Sequence, residues 1–179
     1  MAVAQVLNTI LGVFAWPKKV AQIDEGRLEY LDGKTAHILF AVAESVLGEN
    51  FLREAPDFIY TVDEYMAYQR QGNRDAFTQA LLLAESPGFN LLNGGGLRGF
   101  SRMPIKDRQA VLDRLRASDK DLHRNLYAAF VNVSAATFYA SPATWQRIRY
   151  DGVSVDHPEI LNRPPPVPWR PKDTRPVEK

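Results

Sequence analysis

The glycine-rich stretch at residues 94–99 has the spacing most suggestive of chemistry, because it satisfies the letters of the dinucleotide-binding pattern G-x-G-x-x-G. That pattern holds a pyrophosphate only where a strand leads into the glycines and a helix follows them directly, with its N-terminus facing the phosphates. Here the preceding residues 89–93 are short and polar, and the next helix signal is Pro104. We therefore interpret the stretch as a turned loop and expect no cofactor-binding residue in this chain.

Metal and thiol chemistry find little support among the remaining residues. The three histidines, His37, His123 and His157, are isolated in the sequence, and the acidic residues around His157 are typical of a surface loop rather than of a metal site. The chain has no cysteine, which excludes disulfides, thiol catalysis and Cys-ligated metals. The sequence therefore predicts no metal-binding residue.

Charged residues point to solvated helix surfaces rather than to catalysis or nucleic acid. The carboxylate pairs Asp63/Glu64 and Asp119/Asp121 fall at predicted helix starts, where the helix dipole accounts for them. Basic residues are frequent between positions 98 and 124, but aspartates are interleaved with them and the net charge of the chain is only +1. We therefore expect no catalytic residue and no nucleic-acid partner.

The elements that must carry these residues are helices, since helical periodicity recurs and strand patterns barely occur. A first helix is predicted to begin at residues 32–35 and to end at Gly48. Thr61 and Glu64 form a capping-box pattern for a second helix that ends near Gly72. Asn73 is then predicted to cap a third helix, which ends at residues 86–88.

The second half of the chain continues the helical pattern. Residues 88–101 are predicted to be an ordered loop, and Pro104 suits the first turn of a helix that reaches Leu115. Ser118 and Asp121 form another capping-box pattern and would start a long helix that ends near residue 140. A short last helix is predicted to follow Ser141 and Pro142.

The long helix is the most informative element, because no charged residue occurs from Asn125 to Gln146. Its polar residues argue against a membrane span, where each would need a partner in lipid. We therefore expect the buried centre of a bundle. Its predicted core residues are Leu122, Leu126, Phe130, Val133 and Phe138, with Trp145 packed nearby. The fold class that follows is all-α, an irregular helical bundle around a buried central helix with an extended proline-rich C-terminal arm.

Residues 1–22 are predicted to form an apolar N-terminal helix ahead of a helical domain at 23–162. Leu7, Leu11 and Phe14 share one face of it, which favours docking on protein, and a helix lying on a membrane surface is the alternative. Its lysines follow the apolar run instead of preceding it, unlike a secretory signal. We therefore expect a cytoplasmic protein, or a periplasmic one if a signal was removed or a partner carries it.

Residues 163–179 contain six of the twelve prolines of the chain, a density that favours an extended tail and forbids a helix. Trp169 and Arg170 stand side by side in this tail, and both residue types are enriched at the centres of protein interfaces. We therefore expect the tail to lie on a partner polypeptide, whereas a disordered end with an incidental tryptophan is the alternative.

The segment from Phe138 to Gly152 resembles the C-terminal signature of the gluconate 2-dehydrogenase subunit 3 family. The resemblance rests on an aromatic pair, a Ser-Pro helix start, a tryptophan and a Tyr-x-Gly ending. These residues are Phe138, Tyr139, Ser141, Pro142, Trp145, Tyr150 and Gly152. Arg149 departs from the glycine that the family often has there, and the twin-arginine export signal common in the family is missing.

This resemblance implies a non-catalytic small subunit that binds and stabilises the large FAD-dependent subunit of a sugar or alcohol dehydrogenase complex. The FAD would then belong to a flavoprotein partner of the glucose–methanol–choline oxidoreductase type. The residues expected to contact that partner are Leu7, Leu11, Phe14, Tyr139, Trp145, Tyr150, Trp169 and Arg170. The alternative is a stand-alone helical binding protein for a small ligand or nucleic acid.

Overall fold

A computed structural model of the protein describes residues 17–148, and within this range it contains seven α-helices and no β-strand. The all-α prediction is therefore confirmed. The helices are α1 (Gly33–Leu47), α2 (Phe51–Glu54), α3 (Phe58–Ala67), α4 (Gln71–Glu85), α5 (Pro87–Leu92), α6 (Ile105–Ala117) and α7 (Asp121–Ala140). Short 3₁₀ segments occur at Glu25–Arg27, Phe100–Arg102 and Pro142–Ile148.

The described residues belong to two compact units, the first ending at Thr144 and the second beginning at Trp145. All seven helices lie in the first unit. Six residues of the expected partner interface lie outside the described residues, namely Leu7, Leu11, Phe14, Tyr150, Trp169 and Arg170. The predicted apolar helix before Pro17 and the proline-rich tail lie outside them as well, and residues 17–22 form no helix.

Helix α1 is the most thoroughly buried element of the first unit. Its start is stabilised by Asp32, whose side chain accepts a hydrogen bond from the Thr35 N–H at 2.7 Å, as the sequence predicts. Its end is set by Gly48, which has a φ of 105° that side-chain-bearing residues rarely adopt. Between these ends its side chains are apolar on nearly all sides, and Ile38, Leu39 and several alanines are fully buried. Helices α4, α6 and α7 all contact it.

Large aromatic side chains fill the core around α1. The Phe51 ring meets the Phe58 ring edge-on, with ring centroids 5.1 Å apart, and it also contacts Phe40 at 5.4 Å. Phe130 and Phe138, both on α7, are fully buried in the same core. Phenylalanines bury large apolar areas, so these rings contribute a substantial part of the hydrophobic stabilisation of the first unit.

Helix α7 has one buried face and one exposed face. Leu126, Phe130 and Phe138 are buried as predicted, and Val133 is half-buried, whereas Leu122 is 59% exposed and its predicted burial is wrong. The reason is geometric: each step of four residues along a helix advances the side-chain direction by about 40°. Residues spaced four apart therefore drift around α7. Leu122 lies two such steps before Phe130, and its side chain points away from the buried face.

Two predicted capping boxes are absent, because α3 begins before Thr61 and α7 begins two residues after the predicted first helical residue, Asp119. Helix α3 begins three residues before Thr61, since Phe58 and Ile59 are buried and extend the helix backwards. The Thr61 hydroxyl instead donates to the Asp57 carbonyl, 3.1 Å away. At the start of α7 the Ser118 hydroxyl accepts from the Lys120 N–H at 3.2 Å, and no side chain caps the helix.

The predicted boundaries between α3 and α5 need correction too. Helix α3 ends at Ala67 rather than near Gly72, and Asn73 lies inside α4 instead of capping it. The predicted loop at 88–101 is wrong at both ends, because Pro87 starts helix α5 and Phe100 starts a 3₁₀ turn, whereas residues 93–99 form a loop. Proline suits the first turn of a helix, so Pro87 begins α5 with only Ser86 between it and the end of α4 at Glu85.

We predict that Phe130→Ala lowers the free energy of unfolding by about 3–5 kcal/mol, because it removes a fully buried ring and leaves a cavity. Leu122→Ala on the same helix is the matched control, and it should cost less than about 0.5 kcal/mol since its side chain faces solvent. Urea unfolding followed by circular dichroism measures both values. Equal costs for the two variants would contradict the burial assigned to α7.

Candidate functional site

The carboxylate of Asp63, in the middle of α3, is buried and 3% exposed. It accepts hydrogen bonds from three successive backbone N–H groups, those of Glu29 at 2.7 Å, Tyr30 at 3.0 Å and Leu31 at 2.5 Å. The expected position of Asp63 at a helix start is therefore wrong, and the helix dipole does not explain it. The group fastens the chain segment before α1 to α3, and its acceptor sites are occupied by backbone donors.

Glu85, the last residue of α4, is the second buried carboxylate and is 1% exposed. It accepts from the backbone N–H and from the hydroxyl of Ser101, both at 2.8 Å. Burial raises the pKa of Glu85, and the Ser101 hydrogen bonds oppose that shift. The Ser101 hydroxyl in turn accepts from the Lys18 N–H at 3.0 Å. Glu85 therefore holds together three segments that are distant in sequence.

The glycines of residues 94–99 serve close packing and turning of the backbone. Gly94 and Gly96 have φ values of 73° and 76°, a left-handed conformation that favours glycine. A Cβ on Gly94 would collide with the Arg114 guanidinium, and a Cβ on Gly99 would collide with the Glu85 carboxylate. Residues 89–92 belong to helix α5 rather than to a strand. The loop interpretation of the glycine-rich pattern is thus confirmed.

His37 is buried in α1 and hydrogen-bonded through both ring nitrogens. Its Nδ1 lies 3.3 Å from the Val20 N–H and its Nε2 lies 3.2 Å from a Glu25 carboxylate oxygen. Because Nδ1 accepts, the proton of the neutral ring is on Nε2 and points to Glu25. This hydrogen bond and the nearby Lys19 lower the pKa of Glu25. Within residues 17–148 no group of three or more His, Asp or Glu side chains could hold a metal ion.

The basic residues after position 98 differ in part from the predicted solvated face. Arg116 and Arg124 follow the prediction, since they are exposed and pair with Asp113 and Asp121 one turn earlier. Arg108 does not, because it is 6% exposed. Its guanidinium reaches across to α1, where it donates to the Ala41 carbonyl at 2.8 Å and pairs with the Glu44 carboxylate.

The surface between α3, α4 and α7 contains a groove lined entirely by uncharged residues. Two adjoining depressions of about 460 and 350 Å³ form it, and Tyr65 and Val133 line both of them. The other lining residues are Thr61, Met66, Gln69, Asn73, Ala76, Phe77, Ala80, Leu122, Asn125, Leu126, Ala129, Asn132, Ala136, Thr137 and Ala140. We call this surface the uncharged groove.

The uncharged groove is open to solvent along the exposed face of α7. Tyr65 is 48% exposed where the two depressions meet, and Asn125, Asn132 and Ala136 are exposed as well. This face explains why α7 lacks charge: its buried side needs apolar residues, and its open side forms the groove. The absence of charge along α7 was therefore informative, but the prediction of a helix buried at the centre of a bundle did not anticipate the groove.

Two of the expected interface residues lie within the described range. Tyr139 is half-buried and packs against the core, with its ring edge-on to Phe138 at 5.2 Å, and it does not line the uncharged groove. Trp145 is half-buried in the second unit. Their roles in partner binding stay predictions.

No protein-family model, curated protein or solved structure matches the chain. None of the helices described between residues 17 and 148 is both long enough and apolar enough to cross a bilayer. The uncharged groove is therefore identified as the candidate functional surface from its geometry and chemistry alone.

The buried carboxylate of Glu85 leads to a prediction about pH. Because its pKa is raised above the ordinary value of 4.5, its contribution to stability is fully present below 4.5 and is lost as pH rises through the folded-state pKa. Glu85→Gln does not titrate and keeps an oxygen acceptor for Ser101. We expect the stability of the native protein relative to this variant to fall as pH rises from 4.5 towards neutrality. Denaturant unfolding of both proteins across that range measures the difference, and a difference that is flat or rises with pH would contradict the raised pKa.

Proposed function

We propose that this chain is a non-catalytic small subunit that binds and stabilises a larger flavin-dependent dehydrogenase, and that the uncharged groove contacts that partner. The observation that carries the proposal is an exposed groove, on a protein of ordinary charge content, whose lining contains no charged side chain. The resemblance of residues 138–152 to the gluconate 2-dehydrogenase subunit 3 family supplies the class of partner.

The chemistry of the groove suits a protein partner. The cores of protein interfaces are depleted in charged residues and enriched in tyrosine. Covering uncharged side chains avoids the large desolvation cost that a buried unpaired charge would incur. Tyr65 lies where the two depressions meet, and tyrosine is a residue type that dominates binding energy at such central positions.

Amides at the groove add the capacity for directional binding. Gln69, Asn73, Asn125 and Asn132 line it, and none of their side-chain amides has a hydrogen-bond partner within residues 17–148. Each amide offers donors and an acceptor, so a partner backbone could pair with it. Such hydrogen bonds orient a partner on an otherwise apolar surface.

In this proposal the flavin and the catalytic groups belong to the partner. The two buried carboxylates of the described residues, Asp63 and Glu85, already accept hydrogen bonds from this chain. Leu7, Leu11, Phe14, Trp169 and Arg170 are proposed to extend the contact, together with Tyr139, Trp145 and Tyr150.

A stand-alone binding protein for a small ligand is the second candidate. The larger depression of the groove, about 460 Å³, falls in the size range of small-molecule sites and is lined mainly by apolar residues. The two candidate functions differ in what the groove binds, a protein or a small apolar ligand. Substitutions in the groove therefore distinguish the two functions when each variant is assayed for binding to a protein partner and to small apolar ligands.

We predict that Ala136→Arg in the uncharged groove abolishes copurification with the flavoprotein encoded by a neighbouring reading frame. The substitution places a charge where the partner would cover it. Ala128→Arg is the matched control, because Ala128 is also an exposed alanine on α7 but does not line the groove. Coexpression followed by size-exclusion chromatography measures the complex. Equal copurification of both variants would show that the groove is not the interface.

A second prediction concerns the flavin. The isolated chain should elute from gel filtration without flavin absorbance and oxidise no sugar or alcohol, whereas its complex with the partner should carry FAD. Absorption spectra of both samples test this. A flavin spectrum that survives gel filtration of this chain alone would overturn the assignment of the cofactor to the partner.

A further inference from the structure

A second cavity lies away from the uncharged groove, between the segment at residues 17–22, helix α1 and the turn after the glycine-rich loop. It measures about 440 Å³. Its lining residues include five cations, Lys18, Lys19, Arg98, Arg102 and Arg108, and a single carboxylate, Glu44. We call it the basic cleft.

The positive charge of the basic cleft continues beyond the cavity itself. An adjoining open depression is lined by four of the same cations and by no acidic residue. Lys19 has a partial counter-charge, because its ammonium lies 3.5 Å from the exposed Glu25 carboxylate. Lys18 and Arg98 are exposed and form no ion pair within residues 17–148. The cleft thus concentrates positive charge in a chain whose net charge is only +1.

Arg108 also lines the basic cleft, but it is already held by this chain. It is 6% exposed, and two of its nitrogens are paired with the Ala41 carbonyl and the Glu44 carboxylate. A ligand in the cleft would therefore be bound mainly by the other cations that line it.

The walls of the basic cleft are fixed by hydrogen bonds that are buried or partly buried. Ser101 accepts from the Lys18 N–H and donates to Glu85, and His37 accepts from the Val20 N–H. These contacts hold the segment at residues 17–22 against α1 and against the turn that carries Arg102. A preorganised site loses less conformational entropy when a ligand binds.

We propose that the basic cleft binds a phosphorylated small molecule. Phosphate groups suit a site with several guanidinium groups, because arginine presents paired donors that match phosphate oxygens. A polyanion also matches this concentration of positive charge better than a single carboxylate does. The apolar part of such a ligand would contact Val20, Phe40 and Met103, which line the same cavity. This site is separate from the uncharged groove and does not depend on the flavoprotein partner.

The test is titration of the full chain with inorganic pyrophosphate, followed by isothermal calorimetry at constant ionic strength. We expect saturable binding with a Kd below about 1 mM. Arg98→Gln and Lys18→Gln should each weaken it by about tenfold, since each removes a charged hydrogen-bond donor. Arg53→Gln is the matched control, because Arg53 is an exposed arginine on α2 outside the cleft. Its affinity should stay within about twofold of the native value.

Circular dichroism of each variant verifies the helical fold, which should be unchanged because the side chains of Lys18 and Arg98 are exposed. Citrate, a polyanion without phosphate, serves as the ligand control and should bind at least about tenfold more weakly than pyrophosphate. Three results would overturn the proposal: no saturable binding of pyrophosphate, equal weakening by Arg53→Gln, or citrate binding as tight as that of pyrophosphate. None of these measurements involves the flavoprotein, so failure here is distinct from failure of the proposed function.

Discussion

The first unit depends on the burial of α1, a helix that has no charged stripe to turn towards solvent. An apolar helix in water is unfavourable unless other elements cover every side of it. Helices α4, α6 and α7 provide that cover. Alanines at positions 36, 41 and 43 allow the neighbours to approach α1 closely, and larger side chains such as Ile38 and Leu39 fill the space between them. The remaining helices are arranged by this requirement.

Three buried charged groups determine where the segments between the helices lie. Asp63 binds the backbone before α1, Glu85 binds the turn at Ser101, and Arg108 binds the backbone of α1 at Ala41. A buried charge is tolerated only where hydrogen bonds replace its lost hydration. Each of these groups therefore holds its partner segment in one position. Contacts within the apolar core are less directional, and they restrict the positions of these segments less strongly.

The two surfaces proposed to be functional follow from this arrangement and differ in chemistry. The uncharged groove forms where α3, α4 and the open face of α7 meet, and it suits a partner that excludes water. The basic cleft forms where the segment at residues 17–22 is fastened beside α1, and it concentrates charge. The two surfaces have no lining residue in common. A substitution in one therefore leaves the chemistry of the other unchanged.

The sequence by itself determined the all-α class and those helix ends where one residue has a strong conformational preference. Asp32 and Gly48 bound α1 as predicted, and Pro104 precedes α6, because caps, left-handed glycines and proline act through local backbone geometry. The tertiary structure decided the rest. Thr61 does not cap α3, since burial of Phe58 and Ile59 outweighs a single capping bond. Leu122 is exposed and Arg108 is buried, although helical spacing and charge predicted the opposite. The charge-free run along α7 correctly indicated that these positions do not require charged side chains. The helices that pack beside such a face decide whether the chain covers it or leaves it open as a groove. The packing of those helices depends on residues that are distant in the sequence, so the run alone could not predict it.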